Sequence, residues 1–244
     1  MRFDRFAHSY DLHAAPQRAF AARVAQFIRP APGQTVLELG AGTGALTRHL
    51  LVRVSTTVLA TDGSRSMVEL GRQAVPAARW RQADASSGSV PFTNLQVSSG
   101  LLQWAREPVK VLEGWKETLR PGGRMVHAFA CEPCLAEWRA LVRESPLQWR
   151  DEAAWLGLFE QAGLRVLRRE LWIEKFFFDS SLNLARAMHR SGVTGRAQLG
   201  GGRLRRVLRD YEARYSCSRG VISTWAWLAI EARDASCQPP LQPS

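Results

Sequence analysis

The residues that most constrain this chain are Val36-Leu37-Glu38-Leu39-Gly40-Ala41-Gly42-Thr43-Gly44. Val36 to Leu39 read as a short buried strand. Gly40, Gly42 and Gly44 make a turn, and Ala45 to Leu51 open a helix. Glycine belongs at such a turn because the backbone must bend sharply and approach a ligand closely, where a Cβ would clash. The helix start that follows offers free N–H groups and the positive end of a dipole.

The spacing narrows the reading. Gly-x-Gly-x-Gly is neither the Gly-x-Gly-x-x-Gly of dinucleotide binders nor the Gly-x-x-x-x-Gly-Lys of a P-loop. Glu38 stands two residues before the first glycine. A second strand, Thr57 to Thr61, ends in Asp62, 18 residues beyond Gly44. An acidic residue there is placed to accept hydrogen bonds from ribose hydroxyls. Together, these residues resemble the S-adenosylmethionine (SAM) site of Rossmann-like methyltransferases. The resemblance implies an α/β fold with a seven-stranded, mostly parallel sheet, its last strand antiparallel, plus a helical lid. The implied cofactor is SAM, with S-adenosyl-L-homocysteine as product.

The rest of the chain can be read against that expectation. Its 244 residues suffice for one large domain or a domain with an added lid. Residues 1–33 read as a helical arm over the site, with Phe20, Val24, Phe27 and Ile28 at helical spacing. Residues 34–178 read as the core. Ser64 or Ser66 caps a helix running to about residue 74. Ala78 to Gln82 is a third strand, followed by Asp84, and Leu95 to Ser99 is a fourth. Glu107 to Leu119 is a helix, and Arg124 to Ala130 a fifth strand after the Pro-Gly-Gly turn. Helices are expected over Leu135–Glu144 and Glu152–Ala162, then a sixth strand over Leu164–Phe176. Residues 179–220 are too long for a hairpin loop and read as a lid with helices at Leu182–His189 and Leu204–Tyr215. The last core strand falls in 221–233, and 234–244 reads as a disordered tail.

The net charge is +11, carried almost wholly by arginine. That balance points to an acidic partner, although high arginine use can also follow from base composition. No run of about 18 apolar residues occurs and the first residues lack a signal-peptide core, so no membrane insertion and a cytoplasmic location are expected. Cys131 and Cys134 form a Cys-x-x-Cys pair with no second ligand pair, and read as ordinary thiols rather than a metal site.

A closer resemblance covers nearly the whole chain, to about residue 232. Phe6-Ala-His-Ser-Tyr10-Asp11-x-x-Ala14-x-x-Gln17 resembles the opening of the malonyl-acyl-carrier-protein (malonyl-ACP) O-methyltransferases of biotin synthesis, the BioC type. Ser98-Ser99-Gly100-Leu101-Leu102-Gln103-Trp104 is similar to their Ser-Asn-x-x-x-Gln-Trp. Leu135 to Arg139 and the segment Leu184 to Thr194 resemble their later helix and lid. Departures are Thr93-Asn94-Leu95 where the family has Phe-Asp-Leu, Ser99 where it often has Asn, and a run rich in glycine and arginine over 195–206.

The resemblance implies an acyl carrier protein bearing a malonyl group as partner; with no separate RNA-binding module visible, no stable nucleic-acid partner is expected, and the chain is expected to be a monomer. It implies cofactor contacts from Gln17, Glu38, Gly40, Gly42, Gly44, Asp62, Gly63, Met67, Asp84, Ala85 and Ser99. Asp84 would meet the adenine amino group. Tyr10, Gln103 and Trp104 would enclose the reacting groups. Arg139 is the first candidate for the substrate carboxylate, with Arg186 and Arg203 as alternatives from the lid. Arginine suits that role because its planar fork binds both carboxylate oxygens. A different small-molecule or quinone methyltransferase is the alternative on the same scaffold. A non-catalytic SAM-fold protein is a further one.

Overall fold

The computed structural model describes residues 13–53, 56–87, 90–193 and 199–237. Tyr10 and most of the expected tail lie outside them. In chain order the elements are α1 (Ala15–Phe27), β1 (Thr35–Leu39), α2 (Ala45–Arg53), β2 (Thr57–Asp62), α3 (Arg65–Ala74), β3 (Arg79–Gln82) and β4 (Thr93–Ser99). A 3-10 turn at Leu102–Trp104 precedes α4 (Pro108–Glu117) and β5 (Leu119–Ala130). Then come α5 (Ala136–Arg139), α6 (Glu152–Gln161), β6 (Leu164–Phe178), α7 (Ser181–Arg190), α8 (Gly201–Tyr215), β7 (Ser216–Cys217) and β8 (Gly220–Asp234).

The strands form one sheet in the order β3-β2-β1-β4-β5-β8-β6. β1 to β5 pair in parallel, while β8 runs antiparallel between β5 and β6. This is the mostly parallel sheet with an antiparallel last strand that the motifs imply. The two-residue β7, paired with β8, makes an eighth strand that the sequence does not announce. It closes a hairpin at Gly220, whose φ of +101° and proximity to Phe178 O (2.2 Å from an added Cβ) leave room only for glycine.

Alternation along the strands divides the core. Val36 faces one layer with Phe20, Val24, Leu46 and Trp227. Leu37 and Leu39 face the other with Trp115, Met125, Phe129 and Trp155. A period of two places successive side chains on opposite faces, so one strand serves both layers. Thr93 pairs with Leu119 and Leu95 with Arg124, so the Pro-Gly-Gly residues bulge out of β5. The Thr93 hydroxyl donates to Leu95 O at 3.1 Å beside that bulge.

Helix starts follow their caps. Ser64 accepts from Met67 N, Asp151 from Ala154 N and Ser180 from Asn183 N. One expectation is corrected: the helix predicted over Leu135–Glu144 is only Ala136–Arg139. Leu141 N already bonds three residues back to Trp138 O, and Pro146 disfavours helical backbone at Ser145.

The C-terminal end of α1 is held by charge. That helix has no basic residue in its last turn. Arginines from the sheet meet carbonyls there instead: Arg168 Nη2 donates to Phe27 O at 2.5 Å, and Arg124 Nη2 donates to Arg29 O just beyond the helix. Both arginines pair with Glu231, which is 8% exposed. Glu231→Gln should therefore lower stability by about 2 kcal/mol, the scale of hydrogen bonds to charged groups. Urea unfolding checks this; an unchanged midpoint would refute the clamp.

Candidate functional site

The register of β1 on β2 sets the glycine turn at the carboxyl edge of the sheet, where open α/β folds bind ligands. Ala41 N donates to Thr61 O at 2.9 Å. Asp62 then spans two segments: Oδ2 accepts from Gly42 N at 2.9 Å and Oδ1 from Ser64 N at 2.8 Å. Gly40 and Gly42 have φ of +64° and +56°, in the region that glycine adopts without strain. No atom lies within 4 Å of where a Cβ on Gly42 would stand, so its outer face is open to a ligand. Gly44 has another reason to be glycine: an added Cβ would meet Val75 at 2.9 Å and Trp80 at 3.2 Å.

Two adjoining cavities open here. The smaller, about 90 Å³, is walled by the glycine turn, by Gln17 and Arg18 of α1, and by Ser99, Gln103 and Trp104 after β4. The larger, about 520 Å³, lies between α5 and the lid helices α7 and α8. Leu135, Trp149 and Val193 belong to both walls. Arg139, Arg186, Arg190 and Arg203 line the larger one beside Trp138, Met188 and Leu204.

The structure thus brings together Gln17, Glu38, Gly40, Gly42, Ser99, Gln103 and Trp104 around the small cavity. Asp62 ends β2 and Gly63 and Met67 follow it, while Asp84 and Ala85 follow β3, all outside that wall. Asp84 is exposed and accepts from Ser86 N at 2.9 Å; Ala85 O accepts from Trp115 Nε1 at 2.7 Å. Arg139 belongs to the larger cavity. Of the lid candidates, Arg203 is gripped by both oxygens of Glu144 at 2.6 and 2.7 Å. Arg186 is exposed and makes no ion pair among the described residues.

Wall residues that the motifs do not reveal include Trp149, Trp225 and Trp227. The last two were legible as an i, i+2 tryptophan pair on one strand face. Trp149 follows a stretch without periodicity and gives no such signal.

The small cavity fits a polar ligand. Five polar atoms of its wall residues are buried without a hydrogen-bond partner among the described residues: Gln17 Oε1, Gln103 Oε1, and the indole Nε1 of Trp149, Trp225 and Trp227. Buried polar groups normally have partners, so a ligand carrying both donors and acceptors would complete them. SAM has an ammonium, a carboxylate and ribose hydroxyls. Cys131 and Cys134 are free and buried, which pushes both thiols up to about 12. No cluster suited to a metal ion occurs among the described residues.

Glu38 is the buried acid of the site, 2% exposed, and Thr47 Oγ1 donates to its Oε2 at 2.6 Å. Burial raises its carboxyl from 4.5 to about 8; the Thr47 bond opposes the rise and the Asp62 charge adds to it. The folded state therefore holds a proton that the unfolded chain has released. That stabilisation is complete below pH 4.5 and is lost as pH rises through about 8. Ligand-free protein should lose stability across this window with a slope approaching about 1.4 kcal/mol per pH unit. Denaturant melts at several pH values should show Glu38→Gln flattening the slope, and an equal slope in both proteins would refute the assignment.

Comparison with known proteins places the chain. A family model described as a methyltransferase domain matches residues 36–123. The malonyl-[acyl-carrier protein] O-methyltransferase of Paenibacillus sp. (strain JDR-2) is 26% identical, over 93% of this chain and 94% of that protein. The demethylmenaquinone methyltransferase of Paenarthrobacter aurescens (strain TC1) is 29% identical, over 58% of each. The solved TehB-like SAM-dependent methyltransferase of Corynebacterium glutamicum shares the fold, with a TM-score of 0.53 and 18% identity over 93% of this chain and 97% of that one. The glycine turn, the sheet order and these likenesses together support a SAM-dependent methyltransferase of Rossmann-like fold.

Proposed function

We propose that this protein methylates the free carboxylate of a malonyl thioester, carried on an acyl carrier protein or on coenzyme A, as a step of biotin synthesis. The observation that carries the reading is the arginine-lined cavity that shares Leu135, Trp149 and Val193 with the cavity at the glycine turn. An anionic acyl group held there would lie beside the cofactor. The malonyl-ACP relative supports the reading because it aligns along nearly the full chain, whereas the quinone relative aligns along little more than half.

SAM, when bound, supplies a methyl group on a sulfonium. Glu38, Gly40, Gly42, Gln17 and Ser99 would hold it at the small cavity. Asp62, at the end of β2 beside the glycine turn, would reach the ribose. Asp84 would meet the adenine, with Gly63, Met67 and Ala85 alongside it. The chain's own task is positioning and drying the site. The malonyl carboxylate is ionised at neutral pH, since such groups titrate near about 4. The nucleophile therefore arrives ready, and the site needs cations and an apolar wall. Arg139 and Arg186 would hold the carboxylate, while Arg203 is already matched by Glu144. Trp104, Trp149, Gln103 and Tyr10 would exclude water.

The outer side of α8 suits an acidic carrier protein: Arg205, Arg206, Arg209 and Arg214 are all exposed. Complementary charge speeds encounter more than it tightens binding. Replacing Arg205, Arg206 and Arg209 by glutamine should cut kcat/KM for malonyl-ACP about tenfold at low salt, and that for malonyl-CoA much less. Equal losses on both substrates would argue against docking on α8. The reaction itself is tested with methyl-labelled SAM against malonyl-ACP, malonyl-CoA, a demethylated quinol and transfer RNA. Label on a malonyl methyl ester is expected; label only on the quinol or the RNA would sink the proposal.

A further inference from the structure

Arg139 ends α5 in the wall of the larger cavity, yet its guanidinium is already engaged by the protein. Nη2 donates to Glu132 Oε1, Nη1 reaches Cys134 O at 3.5 Å, and the group lies 4.6 Å from the Trp149 ring centroid. The two charged side chains are 27% and 40% exposed. The pair contrasts with Arg203 and Glu144. Those two make a two-pronged bridge between α8 and the segment after α5. Glu132 instead sits seven residues before Arg139 on the same turn of chain and takes a single nitrogen. A partly exposed, single-pronged pair is worth little, so another carboxylate can replace it at small cost.

We propose that Glu132 is a specificity residue that stands in for the substrate carboxylate. It holds Arg139 in the free enzyme, yields it to an ionised acyl carboxylate, and reclaims it when that carboxylate has become an ester. The inference rests on the proposed methylation of a malonyl group. In that reaction a carbon–sulfur bond breaks and an oxygen–carbon bond forms. The sulfonium and carboxylate charges cancel, and no proton moves. The product thus loses the one feature that competes with Glu132 for Arg139. Trp149 keeps the guanidinium plane in place during the exchange, because it stacks on the group and lines both cavities.

The test is a binding cycle on the full chain, read by calorimetry with malonyl-CoA and with its methyl ester. Wild type, Glu132→Gln, Arg139→Gln and the double variant are compared. Glu132→Gln should bind malonyl-CoA about fivefold tighter, since the competing pair is gone, and the ester no tighter. Arg139→Gln should weaken malonyl-CoA, and adding Glu132→Gln to it should change nothing further. Glu132→Asp, which keeps the charge with a shorter reach, should fall between wild type and Glu132→Gln. Unchanged or weaker binding of malonyl-CoA by Glu132→Gln would overturn the inference, as would tightening that survives in the double variant. The readout needs no turnover. A wild type that binds malonyl-CoA in this pattern but transfers no label to it would refute the proposed reaction and leave the exchange at Arg139 standing.

Discussion

The carboxylate of Asp62 ties the end of β2 to two other places at once, the glycine turn after β1 and the start of α3. Much of the site's shape follows from that clasp. Gly42 N, pulled toward Asp62, keeps its residue in the left-handed region and its open face toward the cavity. Thr61 adds a bond on either side of its own backbone, donating from its hydroxyl to Glu38 O and accepting from Ala41 N at its carbonyl. The last two residues of β2 therefore fix the last residues of β1 and the turn beyond. A one-residue slip of β2 on β1 would break all these bonds together, because the side-chain period of a strand is two.

Against this rigid floor the remaining walls are assembled from distant parts of the chain. α1 contributes Gln17, Arg18 and Ala21, with Ala14 just before it, and it is pinned from behind by Arg124, Arg168 and Glu231. Phe20 stacks on Trp227 at 5.2 Å, so the arm and the last strand form one wall. Beside the larger cavity, Glu137 of α5 accepts from Thr224 N at 2.8 Å, and Tyr211 donates to Ile222 O at 2.7 Å. α5 and the lid helix α8 are thereby both fastened to β8. The glycine turn rests on the parallel half of the sheet, while α5 and α8 beside the larger cavity rest on its antiparallel edge.

This division explains what could be read in advance. The glycine turn, the Ser64 cap, the strand alternation and Asp62 are local patterns with local causes, and each stands where the spacing puts it. The position of Asp62 suggested a ribose acceptor, but its bonds to Gly42 N and Ser64 N are set by the fold of the turn and are invisible in spacing. Glu132 lies before α5 and Arg139 at its end, so helical spacing does not announce their pairing, and Glu144 meets Arg203 across 59 residues. Such pairings depend on where α5 stops, and α5 stops earlier than its apolar periodicity predicts. The tiny β7 is not legible in the sequence because two exposed residues carry no pattern at all.

The titratable groups of the two walls bear on the kind of acceptor the protein can serve. Glu38 faces the glycine turn with its carboxyl raised to about 8 and one oxygen committed to Thr47. The Cys134 thiol is pushed up to about 12 by burial. Glu144 is gripped by Arg203, which holds its carboxyl below the usual range and makes it a poor base. His189 stands exposed on α7 at the rim. A hydroxyl acceptor would need one of these groups to take its proton within hydrogen-bond reach. A carboxylate needs none, since it arrives ionised and asks only for a cation to orient it. The larger cavity is lined by four arginines, Arg139, Arg186, Arg190 and Arg203, against the one imidazole of His189, and that balance favours an acceptor that is already an anion.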